Sequence, residues 1–193
     1  MTATSDSSNE PLFRKVDEHE IHRGYMVRLT DSTFEGPDGN QFHRDVVHTP
    51  NAVGIVPVDR GADGRWEVVL VGQYRAPLER DVIEIPAGIC DVDGEATEAT
   101  AQRELREEAG FLARVIKPLV DYHPAPGFTT HRTAVMLGVG LDPVDRAADG
   151  VEEEHMTIRR IALDDAIALV HDGTITDGKT VVGLLLARAQ LQD

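Results

Sequence analysis

The string RELREEAG, residues 103–110, gathers three glutamates within a few positions. A helix turns by about 100° per residue, so the side chains of Glu104 and Glu108 project in nearly the same direction, with Glu107 close by. Like charges four positions apart destabilise a helix by a few tenths of a kcal/mol. This spacing indicates either chemistry that needs several carboxylate oxygens together or a helix face that is open to water.

A solvated helix face is the interpretation that composition favours. Arg103 and Glu107 are four residues apart, the spacing of a surface ion pair worth about 0.2–0.5 kcal/mol. The geometry favours a binding site instead, because the glutamates lie beside the apolar face of Ala101, Leu105 and Ala109. Unpaired carboxylates at the edge of a core are costly. A hard divalent cation, which prefers oxygen ligands, would relieve both the repulsion and this cost.

The surrounding pattern predicts an α+β fold, with a mixed β-sheet sandwiched by helices and an N-terminal β-hairpin subregion. Two strand-like runs flank the turn cluster at 36–40 and predict the hairpin, and AVGIVPV with WEVVLVGQYR predicts a second strand pair. The glutamate helix is predicted over 96–109, with Gly110 as its stop signal. The other predicted elements are strands at about 112–121, 132–140 and 156–162, and helices at about 163–171 and 178–191.

The composition argues against several kinds of partner. The formal net charge of −15 repels nucleic acid and anionic membranes, so we expect neither as a partner. The polar N-terminus lacks the apolar region of a secretory signal, and no apolar run approaches the roughly 18 residues of a membrane span. Cys90, the one cysteine, fits a reducing cytoplasm. The same negative charge would repel a phosphate-bearing substrate unless a bound cation intervened.

Residues 88–111 resemble the Nudix box, the pattern G-x5-E-x7-R-E-U-x-E-E-x-G-U in which U is apolar. The match has one departure, because six residues rather than five separate Gly88 from Glu95. The extra residue lies in a loop before the helix, where an insertion is easily absorbed. The positions that fill the pattern are Gly88, Glu95, Arg103, Glu104, Leu105, Glu107, Glu108, Gly110 and Phe111.

The resemblance to the Nudix box implies a divalent metal, with Mg²⁺ expected and Mn²⁺ as the alternative. Arg103 would have a structural role and would hold Glu95 and Glu107 in the loop–helix–loop. Gly88 and Gly110 mark the two ends of that motif. The metal would supply the local positive field that the chain lacks. The metal ligands implied by the resemblance are Glu104, Glu107, Glu108 and the backbone carbonyl of Ala87.

Features outside the box resemble the ADP-ribose and ADP-sugar pyrophosphatase branch of the Nudix family. These features are the run VGQYRAPLERDVIEIPAG, the PAPGF loop and the closing helix ITDGKTVVGLLLA. The resemblance implies that Arg75 and Glu84 touch the substrate, and that Ala125 and Gly127 line the wall around the ribose phosphate. The alternative for Arg75 is an ordinary charge at the edge of the sheet.

The acidic string VEEEH, residues 151–155, occupies the loop where this branch carries its catalytic base. Glu154 matches best, Glu153 is next because loop alignments slip by one residue, and Glu152 fits less well. A carboxylate with an ordinary pKa can act as a base once a metal has acidified the water. The alternative is an acidic surface loop with no catalytic role.

The resemblance implies metal-dependent hydrolysis of the diphosphate bond of ADP-ribose to AMP and ribose 5-phosphate. The alternatives are a pyrophosphatase for another nucleotide sugar and a non-catalytic domain that senses a nucleotide, although such domains typically lose box glutamates. In this branch the N-terminal strands cross to a second subunit, so we expect a homodimer. The expected domain organisation is a flexible tail (1–12), a hairpin used in dimerisation (13–48) and a Nudix catalytic domain (49–193).

Overall fold

A computed structural model of the chain describes residues 11–92, 94–147 and 155–191. These residues form ten β-strands and three α-helices. The predicted tail, residues 1–12, lies outside the described residues except for Pro11 and Leu12, which have no regular structure. In the described parts of the chain, no helix is both long and apolar enough to cross a membrane.

The chain divides into two compact units. Among the described residues, the first unit holds the chain up to Thr49 together with the segment Ala125–Thr130. The second unit holds the described residues from Pro50 to Pro124 and from His131 onward. The glutamate helix and its surrounding sheet therefore belong to the second unit, and the predicted hairpin belongs to the first.

The first unit contains a three-stranded antiparallel sheet in the order β1-β2-β3. The predicted hairpin is formed by β2 and β3, and its turn closes where the amide of Gly36 donates to the carbonyl of Asn40 at 2.9 Å. Gly39 in this turn has a φ of 77°, a conformation that glycine adopts without steric cost. The strands are β1 (Arg14–Arg23), β2 (Arg28–Glu35) and β3 (Gln41–His48).

Strand β1 was not predicted from the sequence. Its ten residues, RKVDEHEIHR, include two apolar side chains, and nearly all of them are exposed. An edge strand that is solvated on both faces has no alternation of polar and apolar residues to signal it. Arg14 holds the strand to β2 by donating from Nη2 to Glu35 at 2.6 Å.

The second unit contains a seven-stranded mixed sheet in the order β10-β5-β4-β9-β8, with β6 added beside β5 and β7 beside β4. Strands β4 and β9 run parallel, and the other paired strands run antiparallel. The strands are β4 (Ala52–Arg60), β5 (Trp66–Arg75), β6 (Arg80–Glu84), β7 (Ala87–Ile89), β8 (Phe111–Tyr122), β9 (Thr133–Pro143) and β10 (Thr157–Ala162).

Helices cover both faces of this sheet, which confirms the predicted sandwich. The helices are α1 (Thr97–Glu104), α2 (Leu163–His171) and α3 (Gly178–Gln190). On β4, Val53 and Ile55 pack with the α1 side, and the alternate residues Val56 and Val58 pack with the α2 and α3 side. All four side chains are fully buried, and each contributes about 1.5–3 kcal/mol of hydrophobic free energy. The alternation of a strand thus builds two cores from one run of valine and isoleucine.

The predicted helix over 96–109 is present, but its second half widens. After α1 the backbone continues as a π-helical turn, Leu105–Ala109, which ends at Gly110 with a φ of 71°. Single π-turns inside helices are rare and occur frequently at functional sites. This turn carries Glu107 and Glu108, so the second half of the glutamate cluster is spaced differently from an ordinary α-helix.

Strands β6 and β7 lie in the region that the sequence predicted as loop. Both are short, with five and three residues, and Ile85-Pro86 separates them. Each pairs with one partner strand, β6 with β5 and β7 with β4. Short strands beside a proline carry little periodic signal. Strand β6 ends at Glu84 and strand β7 begins at Ala87, two of the predicted site residues.

Candidate active site

Two of the three glutamates expected to bind metal, Glu104 and Glu108, are buried. Glu104 and Glu108 retain 6% and 4% of their accessible surface, whereas Glu107 is half-buried. Glu108 accepts a hydrogen bond from the backbone amide of Ala87 through Oε2 at 2.9 Å. A buried carboxylate without partners is costly, so this contact fastens the end of the helix to strand β7.

Gly88 is glycine because the Glu104 carboxylate lies against its Cα. A Cβ atom built at position 88 would come within 2.2 Å of the Glu104 carboxyl carbon and of Oε1. No side chain can be accommodated at that separation unless Glu104 moves. The glycine of the box therefore permits the close approach of strand β7 to the carboxylate.

We predict that Gly88→Ala displaces the Glu104 carboxylate and lowers turnover by about 10²-fold, the typical cost of moving a catalytic group by about 1 Å. Steady-state turnover of ADP-ribose, the substrate that the sequence resemblance implies, measures this effect. Gly24→Ala is the control, because a Cβ there would meet nothing closer than 3.5 Å. Equal turnover by Gly88→Ala and the wild type would show that the close approach is unimportant.

Arg103 lies among the box carboxylates. Its Nη1 contacts Glu104 Oε1 at 2.7 Å and donates to Glu107 Oε2 at 3.0 Å. Its Nη2 is 3.6 Å from both Glu95 and Asp91. Burial tends to lower the pKa of Arg103, but the carboxylates, led by Glu104, outweigh it and raise that pKa above its ordinary value. The contact with Glu107 is one that the box implies, the contact with Glu104 is a further one, and the structural role of Arg103 stays a prediction.

Glu95 is oriented by the helix that follows it. The hydroxyl of Thr100, which is buried, donates to Glu95 Oε2 at 2.8 Å. The loop from Gly88 to Glu95 contains the one extra residue relative to the box. Because Glu95 still approaches Arg103, this insertion does not separate the two residues.

The chemistry of the donor set fits a hard divalent cation. The carboxylates are crowded and largely buried, and Arg103 supplies positive charge to two of them. Within residues 11–92, 94–147 and 155–191, no group of three or more His, Cys, Asp or Glu side chains is already gathered in metal-binding geometry. The metal ligands implied by the Nudix box, which are Glu104, Glu107, Glu108 and the backbone carbonyl of Ala87, stay a prediction.

A cavity of about 380 Å³ opens beside strand β7. Its wall includes both Ala87 and Gly88, so it reaches the residues that touch the buried glutamates. Arg75 and Lys179 bring positive charge to this wall in a chain whose net charge is −15. The other lining residues are Ala52, Ile89, Tyr122, Pro124, His131, Thr133, Asp177 and Gly178.

Arg75 and Glu84, both expected to touch substrate, are paired with each other. Arg75 donates to Glu84 from Nε and Nη2, each at 2.6 Å. Burial tends to raise the pKa of Glu84, but Arg75 and Lys179 outweigh it and hold that pKa below its ordinary value. The hydrogen bonds to Glu84 in turn raise the pKa of Arg75. This bidentate pair is a preorganised arrangement and not a loose surface charge.

Lys179 was not identified from the sequence as a site residue. It contacts both Glu84 and Asp177, the latter at 3.1 Å, and it lines the cavity. The available signal was the string DGKT at the start of the last helix, where an N-cap aspartate is followed closely by a lysine. Its partner Glu84 lies 95 residues earlier in the chain, and sequence spacing gives no access to such a contact.

The chain segment 48–182 matches the NUDIX domain family. The chain belongs to the Nudix family. This Nudix chain is 34% identical over 177 residues to an ADP-ribose pyrophosphatase of Mycobacterium tuberculosis, covering 92% of this chain and 84% of that protein. It is 30% identical over 177 residues to a methanol dehydrogenase activator of Bacillus methanolicus, covering 92% and 93% of the two chains. The first similarity confirms the predicted branch, a Nudix hydrolase of the ADP-ribose pyrophosphatase type.

A solved structure supports the fold independently. The crystal structure of an ADP compounds hydrolase superposes on this Nudix chain with a TM-score of 0.80, and the match covers 96% of this chain and 97% of the other. The two sequences are 22% identical. The architecture is therefore that of the Nudix fold, as predicted from the box.

The substrate-binding residues predicted from the sequence are divided between the two units. Ala125 and Gly127 lie in the segment that groups with the first unit, whereas Arg75 and Glu84 lie in the second. Within the first unit, Gly127 lines a cavity of about 320 Å³, and Ala125 is not among the lining residues. The other lining residues are Phe34, Phe42, Arg44, Val46, Pro126, Phe128, Thr129 and Thr130. The expected base, Glu154 or Glu153, and the weaker candidate Glu152 lie outside the described residues.

Proposed function

We propose that this Nudix protein hydrolyses the diphosphate bond of ADP-ribose to AMP and ribose 5-phosphate, using Mg²⁺ or alternatively Mn²⁺. The observation that carries the proposal is the buried pair Glu104 and Glu108, held against strand β7 at the edge of a cavity with two cationic side chains. The similarity to a mycobacterial ADP-ribose pyrophosphatase supports the choice of substrate. We also expect the protein to act in the cytoplasm.

The bound metal would acidify water and neutralise charge on the diphosphate. The residues that would hold that cation are Glu104, Glu107 and Glu108, through their carboxylate oxygens, and the backbone carbonyl of Ala87. Arg75 donates a hydrogen bond to a phosphate oxygen from the guanidinium nitrogen that Glu84 does not use, Nη1. Glu154, or Glu153 in its place, takes the proton from water as its oxygen bonds to phosphorus. The bond between that phosphorus and the bridging oxygen then breaks, and the second phosphate leaves.

The charge of the chain is consistent with this assignment. A net charge of −15 disfavours approach of a substrate that carries two phosphates. Arg75 and Lys179 place positive charge at the cavity. A divalent cation on the glutamates would add further positive charge there and reduce the repulsion of the substrate. The protein therefore needs its metal both for chemistry and for binding.

Another nucleotide compound is the second candidate for the substrate. A relative from Streptomyces rubellomurinus, 29% identical over 169 residues, is named a CMP-5'-(N-acetyl-N-hydroxy-3-aminopropyl)phosphonate hydrolase. Relatives at similar identity thus differ in the substrate for which they are named. A non-catalytic sensor is disfavoured, because all the glutamates of the box are retained.

A coupled assay separates an enzyme from a sensor. Alkaline phosphatase releases inorganic phosphate from AMP and ribose 5-phosphate, but it does not cleave an intact diphosphate linkage. Incubating the protein with ADP-ribose, Mg²⁺ and phosphatase should therefore release phosphate. Protein that has been stripped with EDTA, freed of the chelator and assayed without added Mg²⁺ should release none, while the phosphatase still releases phosphate from added AMP. Binding of ADP-ribose without phosphate release would identify a sensor instead.

We further propose that the protein is a homodimer whose active site needs both chains. The first unit of the protomer carries large exposed apolar side chains, including Phe13 at 54%, Ile21 at 52% and Tyr25 at 100%. A small sheet alone is marginal in water and gains stability when another surface covers its apolar residues. Closed twofold dimers are the commonest homo-oligomers and join identical patches.

We predict that the active species sediments as a dimer, and that Tyr25→Asp weakens it because a charge enters the apolar contact. The specific activity of the variant should then fall when the protein is diluted from micromolar to nanomolar concentration. Sedimentation velocity at the same concentrations measures the fraction of dimer. Val115→Asp, an exposed site in the second unit, is the control and should leave dimerisation unchanged. A wild-type protein that sediments as a fully active monomer at nanomolar concentration would exclude the proposal.

A further inference from the structure

Lys179 is the one cavity lysine, and it is nearly buried, with 13% of its side chain exposed. It lies in the first turn of α3 and contacts the Glu84 carboxylate and, at 3.1 Å, the Asp177 carboxylate. Lysine loses much conformational freedom when it is held in this way. A lysine held between two carboxylates at the wall of the cavity therefore has a role other than keeping the protein surface soluble.

The backbone around Lys179 is fixed against strand β6. Asp177 accepts hydrogen bonds from the amide of Thr180 at 2.9 Å and from its hydroxyl at 2.6 Å. Thr180 is fully buried, and its hydroxyl oxygen accepts from the amide of Ile85 at 2.8 Å. Because Ile85 directly follows Glu84, these bonds hold the start of α3 next to Glu84. The contact between Lys179 and Glu84 is thus set by the fold and not by a chance side-chain rotamer.

Glu84 is occupied on both of its oxygens. Oε1 accepts from Arg75 Nε, and Oε2 accepts from Arg75 Nη2 and from Lys179. Its side chain is 3% exposed, so the carboxylate has little surface with which to touch a ligand. A buried carboxylate with two cationic partners is suited to holding those partners in place.

Arg75 has one terminal nitrogen that Glu84 does not use. Nε and Nη2 bind the carboxylate, whereas the hydrogen bonds within the described residues leave Nη1 without an acceptor. The Arg75 side chain is 35% exposed and lines the cavity. The pairing with Glu84 therefore fixes one edge of the guanidinium and leaves another nitrogen for a ligand.

We propose that Lys179 is a positioning residue, which anchors Glu84 so that Glu84 holds the Arg75 guanidinium in orientation for a phosphate oxygen of the substrate. The proposal rests on the proposed function, because it takes the cavity as the place of the diphosphate. Without Lys179 the buried carboxylate keeps one cationic partner, and the pair gains freedom to rotate or admit water. Lys179 then affects substrate binding through Arg75, with no contact of its own to the substrate.

A double-mutant cycle tests this relation, because effects that pass through a shared partner are not additive. The variants are Lys179→Met, Arg75→Met and the double variant. We expect Lys179→Met to raise KM for ADP-ribose about tenfold with kcat within about threefold of wild type, which is the pattern of lost binding. In the Arg75→Met background, Lys179→Met should raise KM by less than about twofold.

Two further variants separate positioning from simple structural support. Lys179→Arg keeps a cation beside Glu84 and should restore KM to within about threefold of wild type. Arg188→Met removes another cation of α3, one that pairs with Asp164 at the far end of the helix, and should leave KM unchanged. Thermal unfolding of every variant is measured in parallel. Equal loss of stability and activity in Lys179→Met and Lys179→Arg would indicate structural support and overturn the proposal.

The outcomes distinguish this proposal from the proposed function. Additive effects of Lys179→Met and Arg75→Met on KM would mean that Lys179 contacts the substrate itself, and would overturn the positioning role. If the wild type cleaves a different nucleoside diphosphate compound and not ADP-ribose, the substrate assignment fails. The positioning role is then tested by running the same double-mutant cycle on the compound that is cleaved. If no compound is cleaved, the cycle is run on the Kd of inorganic pyrophosphate, and additivity or absence of binding there overturns the inference.

Discussion

Glu104→Gln and Glu108→Gln are each expected to lower kcat for ADP-ribose by about 10²–10³-fold, the loss typical of removing one electrostatic contact to the transition state. Both side chains are buried and adjoin the same cavity wall through Gly88 and Ala87. A neutral amide cannot balance a divalent cation as a carboxylate does. Steady-state turnover over a range of Mg²⁺ concentrations measures the effect and should also reveal weaker metal affinity.

The fold should survive these substitutions. Glutamine has nearly the shape of glutamate, and its amide oxygen can still accept the hydrogen bond from the Ala87 amide. Glu98→Gln is a matched control, because Glu98 is exposed on the same helix and occupies a position that the box leaves unspecified. Its turnover should equal that of the wild type. Wild-type turnover in Glu104→Gln or Glu108→Gln, with normal thermal unfolding, would contradict the assignment of the metal ligands.

Replacing the base is expected to have the second large effect. Glu154→Gln, or Glu153→Gln if the loop alignment slips by one residue, should lower kcat by about 10²–10⁴-fold, the usual contribution of a general base. Metal affinity should change little, because neither residue is an expected metal ligand. Turnover at saturating Mg²⁺ and direct titration with Mn²⁺ separate the two properties.

Glu152→Gln is the comparison for this second experiment, because Glu152 is acidic, lies in the same loop and is the weakest candidate for the base. It should retain most of its kcat. The double variant of Glu153 and Glu154 covers the case in which one glutamate substitutes for the other. Near-normal kcat in both single variants and in the double variant would mean that the base lies elsewhere in the protein.

The elements with strong periodicity were predictable from the sequence. The hairpin around Gly36 and Gly39, the two central valine-rich strands and the glutamate helix were all found close to their expected bounds. In each case local residues determine the outcome, either as turn formers or as apolar residues with a strand or helix period. The widening of the glutamate helix into a π-turn was not predicted, because the spacing of Ala101, Leu105 and Ala109 indicated an ordinary α-helix.

The missed elements and residues depend on distant parts of the chain. Strand β1 is mostly charged, and strands β6 and β7 are short and separated by a proline, so each is defined by the strand beside it. The box identified the glutamates and Arg103 because those residues lie within one short segment. The pairing of Arg75 with Glu84 and the contact of Lys179 with Glu84 could not be predicted from the sequence, because they join residues of β5, β6 and α3 that are brought together only by the fold.

The most direct test of the central claim is to incubate the purified protein with ADP-ribose and a panel of other nucleotide sugars, with Mg²⁺ or Mn²⁺, and to identify the products by mass. The account predicts that ADP-ribose yields AMP and ribose 5-phosphate in equal amounts, and that EDTA abolishes both. Intact ADP-ribose after incubation with either metal, or products formed equally well in the presence of EDTA, would contradict it.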